Sequence, residues 1–135
     1  MLKQVSIIAE NRRGSMKEIT NLIAGEGIDF YNVVTNDSPE YGIVRILCSD
    51  PEKAAQILRK AGYLCKLNIV VGVAISEKVG SLNKLLTDVS DSMINIEYMY
   101  VCYIRHSSNP VAILRVQDWE TVEDCLESRG YTVMA

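Results

Sequence analysis

The residues with chemical potential sit in two short turns. One reads Glu10-Asn-Arg-Arg-Gly-Ser-Met16. The other reads Ser76-Glu-Lys-Val-Gly-Ser-Leu82. In each, Gly-Ser follows an apolar strand-like run and precedes a helix-like run. Glycine lets the backbone reverse and lets a ligand approach closely. The helix start then offers unpaired N–H groups and the positive end of the helix dipole, a seat for a carboxylate. Strand–Gly–helix turns are common, so the motif alone marks a candidate anion site and nothing finer.

Other chemistry finds no support. The four cysteines have no CxxC spacing and the single histidine, His106, stands in a polar loop beside Arg105 and Ser107. No metal site and no nucleophile–base pair can be read from this. Cys48, Cys65 and Cys125 fall opposite Val116, Val133 and Ile57 in the repeat described below, which marks them as small buried hydrophobes. Tyr98 and Tyr100 share a strand face and Tyr103 takes the other, a pattern of strand packing. No catalytic residue, metal or cofactor is expected.

The elements that position the turns come in duplicate. A shift of 66 residues places Val5 on Val71, Gly14 on Gly80, Ser15 on Ser81 and Ile28 on Ile94. A shift of 68 places Asp50 on Asp118, Leu58 on Leu126, Gly62 on Gly130 and Tyr63 on Tyr131. The two extra residues belong to the loop Arg105–Pro110. Two copies of one unit are therefore expected, over 1–67 and 68–135, with Leu64 to Ile75 running from one into the next as nearly continuous strand.

Each copy reads β-α-β-β-α-β. In the first, Val5, Ile7 and Ile8 mark a strand over Lys3–Ala9. Ser15 and Glu18 have capping-box spacing, and Met16, Ile19, Leu22 and Ile23 share a helical face. Gly25 and Gly27 end that helix. Ile28–Thr35 and Tyr41–Cys48 form a hairpin around Asn36-Asp-Ser-Pro39. Asp50-Pro51 starts a second helix with Ala54, Ile57, Leu58 and Ala61 inward, and Gly62 ends it. The fold class is α+β, a ferredoxin-like βαββαβ sandwich with its helices on one face of an antiparallel sheet. A unit of about 67 residues is marginal alone. The two copies are thus expected to join side by side, second strand to second strand, with all helices on one face.

Composition agrees with a compact domain pair. The 135 residues are 48% hydrophobic and 23% charged. The longest apolar run, Ile69 to Ile75, is seven residues, far below the roughly 20 of a membrane helix. The N-terminus lacks the apolar length of a secretory signal, so a cytoplasmic protein is expected. The net charge is −3, divided as +1 over residues 1–66 and −4 over 67–135. No basic stripe is present and nucleic acid is not an expected partner.

The order of elements, with Val5–Met16, Gly27-Ile-Asp29 and Gly62-Tyr63 and their counterparts Val71–Leu82, Met93-Ile-Asn95 and Gly130-Tyr131, resembles the ACT domain family over the whole chain. The resemblance implies a regulatory module that binds an amino acid between a turn of one unit and the second strand of its neighbour. It assigns the ligand loop to Asn11, Arg12, Gly14, Ser15 and Met16, and to Gly80, Ser81 and Leu82 in the second copy. Asp29 and Asn95 match its polar position at the start of the second strand. The family's frequent Pro before the Gly is replaced by Arg13 and Val79. The expected function is a non-catalytic amino-acid sensor or regulatory subunit, acting through a homodimer or a regulated enzyme. The alternative is a ligand-free assembly module. A small enzyme on the same fold is the third reading. The second turn, with Glu77 where the first has Asn11, is expected to repel a carboxylate and bind more weakly.

Overall fold

The computed structural model describes every residue except Asn11, Asp37–Glu40 and Arg105–His106. The hairpin tip at Asp37–Pro39 and the histidine loop therefore lie outside the described residues. The elements are β1 (Leu2–Glu10), α1 (Ser15–Ala24), β2 (Phe30–Asn36), β3 (Tyr41–Cys48), α2 (Pro51–Lys60) and β4 (Leu64–Ala74). They continue with α3 (Ser81–Asp91), β5 (Tyr98–Cys102), β6 (Val111–Arg115), α4 (Trp119–Ser128) and β7 (Thr132–Val133).

The chain divides into two compact units, Lys3–Asn68 and Ile69–Ala135, the latter taking in Met1–Leu2. Chemistry explains the placement of those two residues. The terminal ammonium of Met1 donates to the Met134 carbonyl at 3.1 Å and pairs with Glu123 at 2.8 Å.

In the first unit the strand order is β2-β3-β1-β4, and β1·β3 and β2·β3 are antiparallel. The register sets Val5 opposite Ile46 and Ile7 opposite Val44, so alternate residues of both strands face α1 and α2. Val5, Ile7, Ile19, Ile23, Ile46, Ala54 and Leu58 are fully buried there. In the second unit the order is β7-β4-β6-β5, again antiparallel, with Val71 opposite Leu114. Its core is Val71, Val73, Ile75, Leu85, Val89, Ala112, Leu114, Val116, Val122 and Leu126, backed by Trp119. These ten match ten of the eleven buried residues of the first core at the two shifts, with Val116 in the place of Cys48; the counterpart of Ile28, Ile94, is only partly buried. Burial pushes the Cys48 thiol up, consistent with packing rather than reactivity.

β2 and β5 are the outer strands of their units, hydrogen-bonded to β3 and β6. β4 runs unbroken from Leu64 to Ala74, the nearly continuous strand expected there.

Local signals behave unevenly. Asp50 caps α2 by accepting the Lys53 N–H at 3.1 Å, with Pro51 first in the helix. Ala61 is exposed and Ala55 is buried instead. The Ser15–Glu18 capping box does not form. Gly14 is the N-cap, at φ +86°, and Ser15 is already helical. A residue with a Cβ resists that left-handed conformation, so the cap position falls to glycine and the serine hydroxyl is free for another bond.

Candidate functional site

Both turns are closed in the same way. Gly14 and Gly80 take φ +86° and +90°, and α1 and α3 begin at the next residue. The Ser15 hydroxyl donates back to the Glu10 carbonyl at 2.8 Å, and the Ser81 hydroxyl donates to the Ser76 carbonyl. Each bond crosses the turn from helix start to strand end and holds the loop against the sheet. The Ser15 and Ser81 N–H groups close onto the Arg12 and Lys78 carbonyls at 3.2 Å. The N–H groups of Met16 and Lys17, and of Leu82 and Asn83, have no intrahelical acceptor, as in the first turn of any helix.

Beside each turn lies a cavity of about 310 Å³. The first is walled by the end of β1, by Arg12, Ser15 and Glu18, and by Gly62-Tyr63-Leu64 from the α2–β4 turn. The second is walled by Ala74, Ile75 and Ser76, by Ser81 and Lys84, by Asn109, and by Gly130-Tyr131-Thr132. The two sets superpose through the repeat: Ser15 with Ser81, Glu18 with Lys84, Gly62-Tyr63 with Gly130-Tyr131. The volume is at the small end of ligand sites and suits a metabolite the size of an amino acid.

Their electrostatics differ. In the first cavity Arg12 lies between two carboxylates, 3.3 Å from Glu10 and 3.2 Å from Glu18. The buried Tyr63 hydroxyl has no well-formed hydrogen bond, yet it and Arg12 together hold the Glu18 carboxyl below its usual range. Burial, then Glu18, pushes the Tyr63 hydroxyl up. In the second cavity Tyr131 donates to Asp88, which Lys84 and Arg129 also approach at 3.3 Å. The Tyr131 hydroxyl is the largest cause holding Asp88 low. The Lys84 ammonium lies 5.0 Å from the centre of the Tyr131 ring.

The residues expected from the sequence separate into groups. Arg12 and Ser15 line the first cavity and Ser81 the second. Gly14 and Gly80 shape the turns without lining them. Met16 and Leu82 direct their side chains to the two cores. Asn11 lies outside the described residues. Asp29 is exposed at the far end of α1, where its N–H donates to the Ser49 hydroxyl at 3.0 Å. Asn95 lines a third cavity of about 380 Å³ with Met93, Gln117 and Asp118. Neither unit by itself brings its turn and its polar second-strand residue together, because a full helix separates them.

Tyr63, Tyr131, Glu18 and Lys84 were not singled out by the sequence as site residues. The signal that could have found the tyrosines is the retained Gly-Tyr pair of the repeat. Glu77 accepts the Tyr103 hydroxyl at 2.9 Å and does not line the second cavity. Among the described residues no three His, Cys, Asp or Glu side chains gather as metal ligands, and no helix is long and apolar enough to cross a membrane.

Solved structures share this architecture. The protein BT0572 from Bacteroides thetaiotaomicron is similar at TM-score 0.90 and 28% identity, over 99% of this chain and 92% of that one. The ligand-free regulatory subunit of aspartate kinase from Thermus thermophilus gives 0.68 at 13% identity, over 94% and 91%. Aspartate kinase from Clostridium acetobutylicum, described as an allosteric enzyme, gives 0.53 at 14%, over 93% of this chain and 32% of that one. At these last two identities the likeness is one of fold. No curated protein matches the sequence. The model of a family described as an ACT domain pair matches residues 1–129, and with the duplicated βαββαβ units and their paired Gly-Ser turns this places the chain in that family.

Proposed function

We propose that this ACT domain pair is a non-catalytic regulatory module that binds a free amino acid at the turn before a first helix. The observation that carries the reading is the duplication of one arrangement. A left-handed glycine, a serine-locked turn, free helix N–H groups and a cavity of about 310 Å³ recur in both copies. The ligand's carboxylate sits at the N–H groups following Gly14-Ser15, at Met16 and Lys17, where helix dipole and charge-assisted hydrogen bonds favour it. Gly80, Ser81 and Leu82 offer the same seat. Asn11, Asp29 and Asn95 are assigned to the ligand by family resemblance.

The module acts through a partner, a second copy or a regulated enzyme. The solved structures of similar fold include a regulatory subunit and an allosteric kinase, which supports this role. An exposed aliphatic strip is available for it: Ile8 and Ile43 face each other across β1·β3, and Leu64 stands at the start of β4.

A thermal-shift series with the twenty amino acids tests the reading. A ligand at 100 times its Kd adds about 2.7 kcal/mol. Gly14→Val removes binding at the first turn. Because Gly14 has φ +86°, the substitution also strains the backbone, and Gly27→Val serves as control, since Gly27 has φ +74° and lies at the other end of α1. Loss of binding in both variants alike, or in neither, refutes the turn as the site. No response to any amino acid leaves the assembly module as the better reading.

A further inference from the structure

The two cavities share one part of their lining and differ in another. Common to both are the glycine turn, the serine lock, the helix start and the Gly-Tyr wall. Among the remaining positions Glu10 is replaced by Ser76, Glu18 by Lys84 and Leu64 by Thr132, while Arg12 lines the first cavity alone and Asn109 the second. The charged residues lining the first cavity are Glu10, Arg12 and Glu18, a net of −1. Arg12 is shared between the two carboxylates. The charged residue lining the second is Lys84, and the cluster behind it, Asp88 with Lys84 and Arg129, also sums to +1.

A shared frame suits the part of a ligand that never varies, the α-amino acid backbone. The positions that differ suit the part that does, the side chain. We propose that the two cavities take amino acids of opposite side-chain charge: the Glu18 cavity a basic amino acid, the Lys84 cavity an acidic one. This rests on the amino-acid-binding reading above and assigns its ligand class. Glu18 and Lys84 occupy the same position in α1 and α3, three residues past the lock serine, and both are exposed along the helix and reach the cavity rim. Lys84 is steadied by Asp88 and the Tyr131 hydroxyl, which aim its ammonium at the wall of its own cavity. Tyr63 stands in the wall of the first cavity as Tyr131 stands in the wall of the second.

Calorimetric titration of the full chain with L-arginine and with L-glutamate tests this, alone and in mixture. The expected result is independent binding of each, without competition. Lys84→Glu should weaken L-glutamate roughly five- to tenfold, the effect of turning an exposed attraction into a repulsion, and leave L-arginine unchanged. Glu18→Lys should do the converse. Lys84→Met and Glu18→Gln, which only remove charge from exposed helix positions, should give about half the effect on a logarithmic scale and guard against misfolding of the reversals. Binding of amino acids with equal preference in both variants, or competition of the two for the same sites, overturns the charge assignment and leaves amino-acid binding intact. No heat with any of the twenty amino acids overturns both.

Discussion

Met93 is the one described non-glycine residue with a positive φ, +59°, and it stands where the first copy has Gly27 at +74°. The two turns are otherwise alike. The Met93 N–H donates to Ser90 and the Gly27 N–H to Ala24, both at 3.0 Å. The Met93 side chain is 94% exposed, so its removal forfeits almost no burial. An L-residue in the left-handed region carries roughly 1–2 kcal/mol of strain. Glycine there relieves that strain but loosens the unfolded chain by about 0.5–1 kcal/mol. Met93→Gly should therefore stabilise by about 0.5–1 kcal/mol, or about 2–4 °C in Tm. Met93→Ala keeps the strain and should lie within about 0.5 kcal/mol of the parent. The assay is urea unfolding followed by far-UV circular dichroism, with an unchanged m-value as the condition for comparing midpoints. A lower midpoint for Met93→Gly, or equal gains for the Gly and Ala variants, would refute backbone strain as the operating cause.

Three further outcomes follow from particular contacts. Gly72→Ala sets a Cβ 2.8 Å from Leu2 Cδ1 and 3.3 Å from Met134 Cβ, and should destabilise by about 1–3 kcal/mol in denaturant titration. Ser15→Ala removes the 2.8 Å bond that locks the first turn and should cost about 0.5–1.5 kcal/mol, with hydrogen exchange of the α1 first-turn amides accelerated. The Asp88 carboxyl, held low first by the Tyr131 hydroxyl, releases its proton more readily folded than unfolded. It contributes stability above the unfolded pKa of about 3.9 and loses it as pH falls through the lower folded value. Tyr131→Phe should thus flatten the acid limb of the stability profile below about pH 4, and an unaltered limb would refute the linkage.

How much of this was legible in the sequence depends on the range of the interactions involved. Strand and helix faces are written in local periodicity, and the duplication checks each assignment against a second copy. The inward positions Val5, Ile7, Ile19, Ile23 and Leu58 were readable for that reason, and so was the buried character of Cys48. The capping box was misread because Ser-x-x-Glu spacing records what side chains can reach, not which residue must take φ > 0. Gly14 has that requirement, which moves Ser15 one position into the helix and redirects its hydroxyl to Glu10. Ala61 is exposed because α2 ends at Lys60, before that face returns inward, while Ala55 is buried beside Ala54 within the helix.

The candidate site was half legible, and the division has a physical cause. Its near wall, the Gly-Ser turn, is contiguous in the chain. Its far wall, Tyr63 or Tyr131, lies about fifty residues away and arrives only because β4 and β7 lay the end of the preceding helix beside the strand that enters the turn. No spacing rule joins those two segments. The same limit bears on the charges around the second turn. Glu77 is adjacent to the turn in sequence, but its carboxylate accepts the hydroxyl of Tyr103, just past the end of β5. Lys84, one helical turn further on, reaches the cavity instead. A duplicated chain makes this separation visible. The frame that both copies keep is set by backbone requirements, which tolerate few residues. The residues proposed above to meet a ligand's side chain are exposed on the first turns of α1 and α3, where Glu18 and Lys84 can differ in sign at almost no cost to the fold.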